Sequence, residues 1–234
     1  MRLQTFLAHA GVASRRSSED IIGSGKVSVN GHIVRERSFP VTEGKDKVAL
    51  DGKAVSLIPK AYYILNKPKG VTSTVKDAHA ARTVMEFLPK GSGRLYPVGR
   101  LDRDTTGLIL LTNDGDLAYR LTHPRFEVKK AYRATVKGIL REEETRRLEK
   151  GVELEDGISA PAKVRVVSRT KDETVCDIEI HEGKKRQVRR MFDSVGHRVI
   201  ELERVSFAGI KLGSLKKGEL RRLTDEELKL LRKR

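Results

Sequence analysis

The stretch from Gly99 to Gly115 reads Gly-Arg-Leu-Asp-Arg-Asp-Thr-Thr-Gly-Leu-Ile-Leu-Leu-Thr-Asn-Asp-Gly, and it limits the fold more than any other part of the chain. Its second half, Leu108 to Thr112, is an apolar run closed by the turn signal Asn113-Asp114-Gly115. A run this short and this β-leaning suits a buried strand rather than a helix. The first half is polar, and polar residues tethered to the end of a buried strand sit at the rim of a sheet, where sites are commonly built. Asp102 is therefore held by a rigid element while facing solvent, as a catalytic carboxylate requires. By residue type alone the Arg/Asp cluster reads equally as an ion-pair group that closes a turn, a role worth little in energy.

A chain of 234 residues can bury a sizeable core and is expected to form one or two domains. Its net charge of +16 favours polyanionic partners, nucleic acid first and a membrane surface second. The single cysteine, Cys176, excludes an internal disulfide and any multi-cysteine metal site, and its alternating context suggests a half-buried structural thiol. No stretch approaches the ~20 apolar residues of a membrane span, and the N-terminus lacks the apolar core of a signal peptide. A reducing, cytoplasmic setting is expected. The histidines show no ligand spacing and no Gly-rich phosphate loop is present, so nothing asks for a metal or nucleotide cofactor. No repeat of period 20–50 points to a solenoid.

At the front of the chain, Leu3, Phe6, Leu7 and Ala10 fall at helical spacing before Gly11. Ser14 can cap a second helix to about Ile22, stopped by Gly23 and Gly25. Asn30-Gly31 and Asp51-Gly52 then predict two hairpins, the second from Val48 to Val55. Arg15, Arg16 and Lys26 cluster where the second helix meets the first hairpin, either as a solvated polar face or as a binding patch. Ser56 to Lys60, with Pro59, reads as a linker, which divides the chain into residues 1–58 and 59–234.

In the second part, Ala61 to Leu65 predicts a strand running into the turn of Asn66-Lys67-Pro68-Lys69-Gly70. Short helices are expected over Val84–Leu88 and Asp116–Leu121. Lys129 to Val136 alternates with period two, placing Tyr132 on one face with Ala134 and Val136; from periodicity alone this tyrosine is as consistent with packing as with a site. Glu142 to Lys150 predicts an exposed helix, and Lys163–Val167, Thr174–Ile180 and Val199–Arg204 predict strands. Within Glu182 to Phe192, an apolar helical stripe of Val188, Met191, Phe192 and Val195 is closed by Gly196. At ~100° per residue, Arg186 and Arg190 point away from that stripe while Arg189 sits on its shoulder and can reach inward. Lys184 and Lys185 read by composition as a solvated basic face. Thr224 to Glu227 forms a capping box, with Arg232, Lys233 and Arg234 suited to the negative end of the terminal helix.

Several of these segments together resemble a known family. Arg100-Leu101-Asp102 with Thr105-Thr106-Gly107-Leu108 is similar to the catalytic motif of pseudouridine synthases, in the RsuA/RluB branch that modifies ribosomal RNA. Asn66 to Gly70, Lys129 to Val136 and Glu182 to Phe192 resemble the family's remaining motifs. Ala10 to Arg16 with Gly25 to Gly31 resembles the S4 RNA-binding module. The likeness covers nearly the whole chain. It implies an α+β fold: a small S4-like domain, then a mixed, largely antiparallel sheet flanked by helices. It also implies isomerisation of uridine to pseudouridine in ribosomal RNA, after the target is turned out into a pocket.

Under this resemblance Asp102 acts on the ribose, either adding to the anomeric carbon or removing the 2′ proton. Arg189 pairs with Asp102, and Tyr132 stacks on the freed base. Arg15, Arg16, Lys26, Arg100, Arg103, Lys184, Lys185, Arg186 and Arg190 hold RNA, and Lys67 can touch it. The segment Lys184 to Arg186 differs between branches and leaves the target uridine and the ribosomal subunit open. The charge favours a monomer meeting RNA. The rival readings are a non-catalytic RNA-binding or ribosome-assembly protein and a glycosylase that releases free uracil.

Overall fold

The computed structural model describes residues 1–77 and 80–233; Arg234, expected at the end of the terminal helix, lies outside them. The chain divides into two compact units, one formed by Met1–Ala61 with Gly91–Arg94 and Asn113–Gly115, the other by the remainder.

In the first unit, helices α1 (Leu3–His9) and α2 (Arg15–Gly23) precede strands β1 (Val27–Val29), β2 (His32–Ile33), β3 (Val48–Leu50) and β4 (Lys53–Val55). The Ser14 hydroxyl accepts from the Ser17 amide at 3.0 Å and caps α2 as expected. Both hairpins turn at the predicted dipeptides, with Asn30-Gly31 and Asp51-Gly52 all at positive φ. The strands pair antiparallel in the order β2-β1-β3-β4. Leu3, Phe6, Leu7, Ile22, Val27, Val29 and Val48 form the core beneath them.

The second unit contains β5 (Tyr62–Lys67), β6 (Tyr96–Val98), β7 (Thr106–Thr112), α3 (Gly115–Thr122), β8 (Lys130–Lys137), α4 (Glu142–Lys150), β9 (Lys163–Arg169), β10 (Glu173–Ile180), α5 (Gln187–Ser194), β11 (Val199–Phe207), β12 (Ile210–Lys211), β13 (Leu220–Arg222) and α6 (Asp225–Arg232). One sheet runs β13-β5-β7-β11-β8-β10-β9, with β6 on β7 and β12 on β11. Every pairing is antiparallel except β7 with β11. The expected mixed, largely antiparallel sheet is thus present. The apolar run of β7 is its buried centre, with Leu108 to Leu111 all fully covered. The alternation in β8 buries Tyr132, Ala134 and Val136 and turns Arg133 and Lys137 outward. Thr224 caps α6 through the predicted box. Cys176 departs from expectation: it is fully rather than half buried, and burial pushes its thiol up to about 12, which makes it unreactive.

The parallel pairing of β7 with β11 joins Thr106 to Glu203 and Gly107 to Arg204. Gly107 has φ +103°, and a Cβ built on it would lie 2.4 Å from the Arg204 carbonyl oxygen and 2.6 Å from its nitrogen. Only glycine tolerates both the conformation and the approach. Gly107→Ala should therefore destabilise the protein by at least ~2 kcal/mol, read as a lower urea midpoint; an unchanged midpoint would show that the two strands can part without cost.

Candidate active site

Asp102 lies in the turn that feeds β7. Its carbonyl accepts from the Thr105 amide at 3.1 Å, which closes the turn. The Ser73 hydroxyl clamps the preceding residue, donating to the Leu101 carbonyl at 2.9 Å and accepting from the Leu101 amide at 3.1 Å. The Gly70 amide donates to the Arg103 carbonyl at 2.8 Å, and Arg103 Nε returns a bond to the Gly70 carbonyl at 3.3 Å. The loop that follows β5 thus braces the Asp102 turn from behind. That loop is itself held by Lys67, whose Nζ donates to the carbonyls of Pro68 and Val71 at 3.1 and 2.9 Å. Lys67 is fully buried and so cannot touch RNA as expected. Burial pulls its ammonium down to about 8 against the opposing charges of Asp104 and Asp102.

The Asp102 carboxylate is half-buried and makes no ion pair or side-chain hydrogen bond among the described residues. It faces a narrow cavity of about 60 Å³ shared with Arg100, Thr105, Tyr132, Gln187 and Leu202. Arg100 and Tyr132 also line a second cavity of about 410 Å³, which extends to Lys130, His181, Arg204 and Phe207. Asp102 and Tyr132 therefore border one continuous cleft. Tyr132 is held between its cross-strand neighbours, Ile178 on β10 and Arg204 on β11.

Arg189 does reach inward from α5 and is buried, but its partner differs from the one expected. Its Nη2 pairs with the Asp104 carboxylate at 3.1 Å and donates to the Asp104 carbonyl at 3.3 Å, while Nη1 donates to the Val199 carbonyl at 3.1 Å. Asp102 acts on it only at longer range. The reason is the Asp102–Thr105 turn, which sends the two aspartates in different directions. Arg186 also binds Asp104, at 3.2 Å. Burial pushes the Asp104 carboxyl up, but the charges of Arg189 and Arg186 outweigh it and hold the group below its ordinary value.

The remaining expected RNA contacts fall into two groups. Arg15, Arg16, Lys26, Arg100, Arg103, Lys185 and Arg186 are exposed. In the first unit, a further cation that sequence reading missed, Arg35, lies over Gly25 beside Lys26. Arg190 does not point freely outward: it forms a bidentate pair with Asp156 at 2.8 and 3.0 Å. Lys184 Nζ donates to the carbonyls of Asp156, Gly157 and Ile158 at 3.0–3.4 Å. These two cations tie the loop at 156–158 to the start of α5 instead. Gln187, also missed, completes that tie, donating to the Glu182 carboxylate and accepting from the Lys184 amide at 3.0 Å. No cluster of His, Cys, Asp and Glu suited to a metal occurs among the described residues.

Because the Asp104 pKa is depressed in the fold, its pairing stabilises the protein above the unfolded value and is lost as pH falls through the folded one. Asp104→Asn should be less stable than the parent at neutral pH. The gap should stay full down to about pH 5 and close as the pH drops below the ordinary carboxylate value of 3.8. Urea midpoints measured across that range check this; a gap independent of pH would contradict the pairing.

A family model described as RNA pseudouridylate synthase matches residues 61–194, and one described as S4 domain matches residues 1–55. The chain is 47% identical over 233 residues to ribosomal large subunit pseudouridine synthase B of Bacillus subtilis, covering 99% of this chain and 95% of that one. It is 42% identical over 229 residues to an uncharacterized RNA pseudouridine synthase of Aquifex aeolicus, covering 97% and 92%. A crystal structure of a pseudouridylate synthase superposes with a TM-score of 0.71 at 31% identity, over 99% of both chains.

Proposed function

The chain belongs to the RNA pseudouridylate synthase family, and on that premise we propose that Asp102 is the carboxylate that acts on the ribose of a flipped uridine. The protein isomerises uridine to pseudouridine. The observation that carries the site assignment is the cleft in which Asp102 and Tyr132 meet on two separately braced elements. The bond from ribose C1′ to uracil N1 breaks, the ring turns, a bond from C5 to C1′ forms, the C5 proton is lost, and N1 takes up a proton. An ionised carboxylate beside C1′ supports a developing sugar cation, whether it adds to that carbon or removes the 2′ proton. With no ion pair to it among the described residues, its charge is available to the sugar. Tyr132 offers a ring face on which the detached base is retained while it rotates.

Arg189 takes an indirect part in this reading. By neutralising Asp104 and binding its carbonyl, it sets the turn that aims Asp102 and so serves as a positioning residue. The 47% identity to a large-subunit enzyme supports ribosomal RNA of the large subunit as substrate. The exposed cations of the first unit hold phosphates and provide affinity without reading sequence. In this reading the protein works in the cytoplasm, as a monomer and without cofactor, and its domains divide at residue 58, within the linker just before the first compact unit's leading segment ends at Ala61. No helix among the described residues is long and apolar enough to cross a membrane.

Asp102→Asn should leave RNA affinity intact and lower product formation by at least ~10³-fold, measured as pseudouridine formed per enzyme in a single turnover. Normal turnover would remove Asp102 from the chemistry. Replacing Arg15, Arg16 and Lys26 together by Ala should weaken RNA binding and flatten the slope of log K against log salt by about 2–3. A slope equal to the parent's would place the RNA elsewhere.

A further inference from the structure

The larger cavity beside Tyr132 holds more buried positive charge than the roles assigned so far require. Arg204 on β11 lies directly across from Tyr132 on β8, so the two side chains stand side by side on one sheet face, about 5 Å apart at Cβ. It is only 2% exposed. Its Nε donates to the Leu108 carbonyl at 2.7 Å, and its guanidinium lies 4.7 Å over the Phe207 ring. Its Nη2 has no hydrogen-bond partner among the described residues. An idle N–H on a buried cation is costly, and in a native protein it calls for an explanation.

Lys130 lines the same cavity two residues before Tyr132, on the same face of β8. Its Nζ donates to the carbonyls of Val128 and Glu182 at 3.0 and 3.4 Å, which leaves one of its three N–H groups without a partner among the described residues. Burial and then the charge of Arg204 bring its ammonium down to about 8. Two cations that repel each other across a half-enclosed cavity suit an occupant with strong acceptors or negative charge.

The reaction supplies such an occupant. When C1′–N1 breaks, the bonding electron pair stays on uracil and spreads over N1, O2 and O4. That pair forms the bond from C5 to C1′; the C5 proton then leaves, its bonding pair returns to the ring, and N1 takes up a proton. We propose that Arg204, which lines the cavity, contacts the target base, its guanidinium donating to a uracil carbonyl oxygen and stabilising the negative charge carried by the detached ring. Tyr132 supports the face of the ring while its neighbour on the adjacent strand reaches the edge. Fixed donors in a water-poor site are effective in this way because they need no reorganisation as charge develops. The inference rests on the reading of the cleft as the uridine site.

The test is single-turnover conversion of RNA hairpins whose target carries oxygen or sulfur at C2 or at C4, sulfur being the poorer acceptor. The parent enzyme should slow about tenfold with sulfur at one of the two positions. Arg204→Lys should slow conversion of ordinary uridine about 10²-fold at unchanged RNA affinity and should lose most of its sensitivity to that sulfur. Full multiplication of the two effects would show a structural role and overturn the contact. So would equal parent rates on all three targets. If Arg204→Lys does not fold, the parent's rates decide alone, slowing at one position supporting the contact and equality overturning it. Asp102→Asn separates the failures: activity in that variant removes the cleft reading, whereas an inactive variant with no coupling between Arg204 and sulfur removes this inference only.

Discussion

Backbone lies against backbone where β7 meets β11, and the arrangement of the second unit follows from that contact. The missing side chain at Gly107 lets the Arg204 main chain approach more closely than any Cβ would permit. That approach sets the one parallel pairing in an otherwise antiparallel sheet. It fixes the turn bearing Asp102 beside the strand pair that carries Arg204 and Tyr132. Carboxylate, ring and buried guanidinium then share a cleft although they come from three separate segments, the first and last about a hundred residues apart. Rigid strands on both sides hold them, and the turn is braced from behind by Ser73, Gly70 and Lys67. A site built this way needs little reorganisation when substrate arrives.

The two aspartates of the turn divide the electrostatic work. Asp104 takes up the guanidinium groups of Arg186 and Arg189, which anchors α5 to the turn. Asp102 is thereby left without a partner among the described residues and open to the cleft. Pairing a carboxylate with a buried arginine strengthens the ionised form but also occupies it. Placing that pair at Asp104 keeps Arg189 within electrostatic range of Asp102 without occupying the Asp102 carboxylate. The cations Arg204 and Lys130 on the other side of Tyr132 give the cleft a positive wall suited to a base that leaves as an anion.

Much of this was legible in the sequence, and what was not has a common cause. Local signals worked: Asn30-Gly31 and Asp51-Gly52 fixed hairpins, Ser14 and Thr224 capped helices, and the alternation through Tyr132 gave the correct buried face. The stripe on α5 correctly turned Arg189 inward. Partnership across long separations did not show. Arg189 meets Asp104 rather than Asp102 because of a turn whose geometry depends on Ser73, 28 residues away from Leu101. Arg190 and Lys184 looked like free cations because Asp156 and its loop carbonyls lie some thirty residues earlier in the chain. Arg204 looked like the charged end of a strand. Only the register of β11 on β8 puts it beside Tyr132, and register is a property of the assembled sheet.

Under the proposed function a uridine leaves its RNA stack and enters the cleft with its ribose at Asp102 and its ring on Tyr132. A crystal structure of Asp102→Asn bound to an RNA hairpin containing the target uridine tests it most directly. The uracil ring should lie within van der Waals contact of the Tyr132 ring, with C1′ beside the residue-102 amide. A uridine still stacked in the RNA, with the cleft filled by protein or by another part of the hairpin, would contradict it.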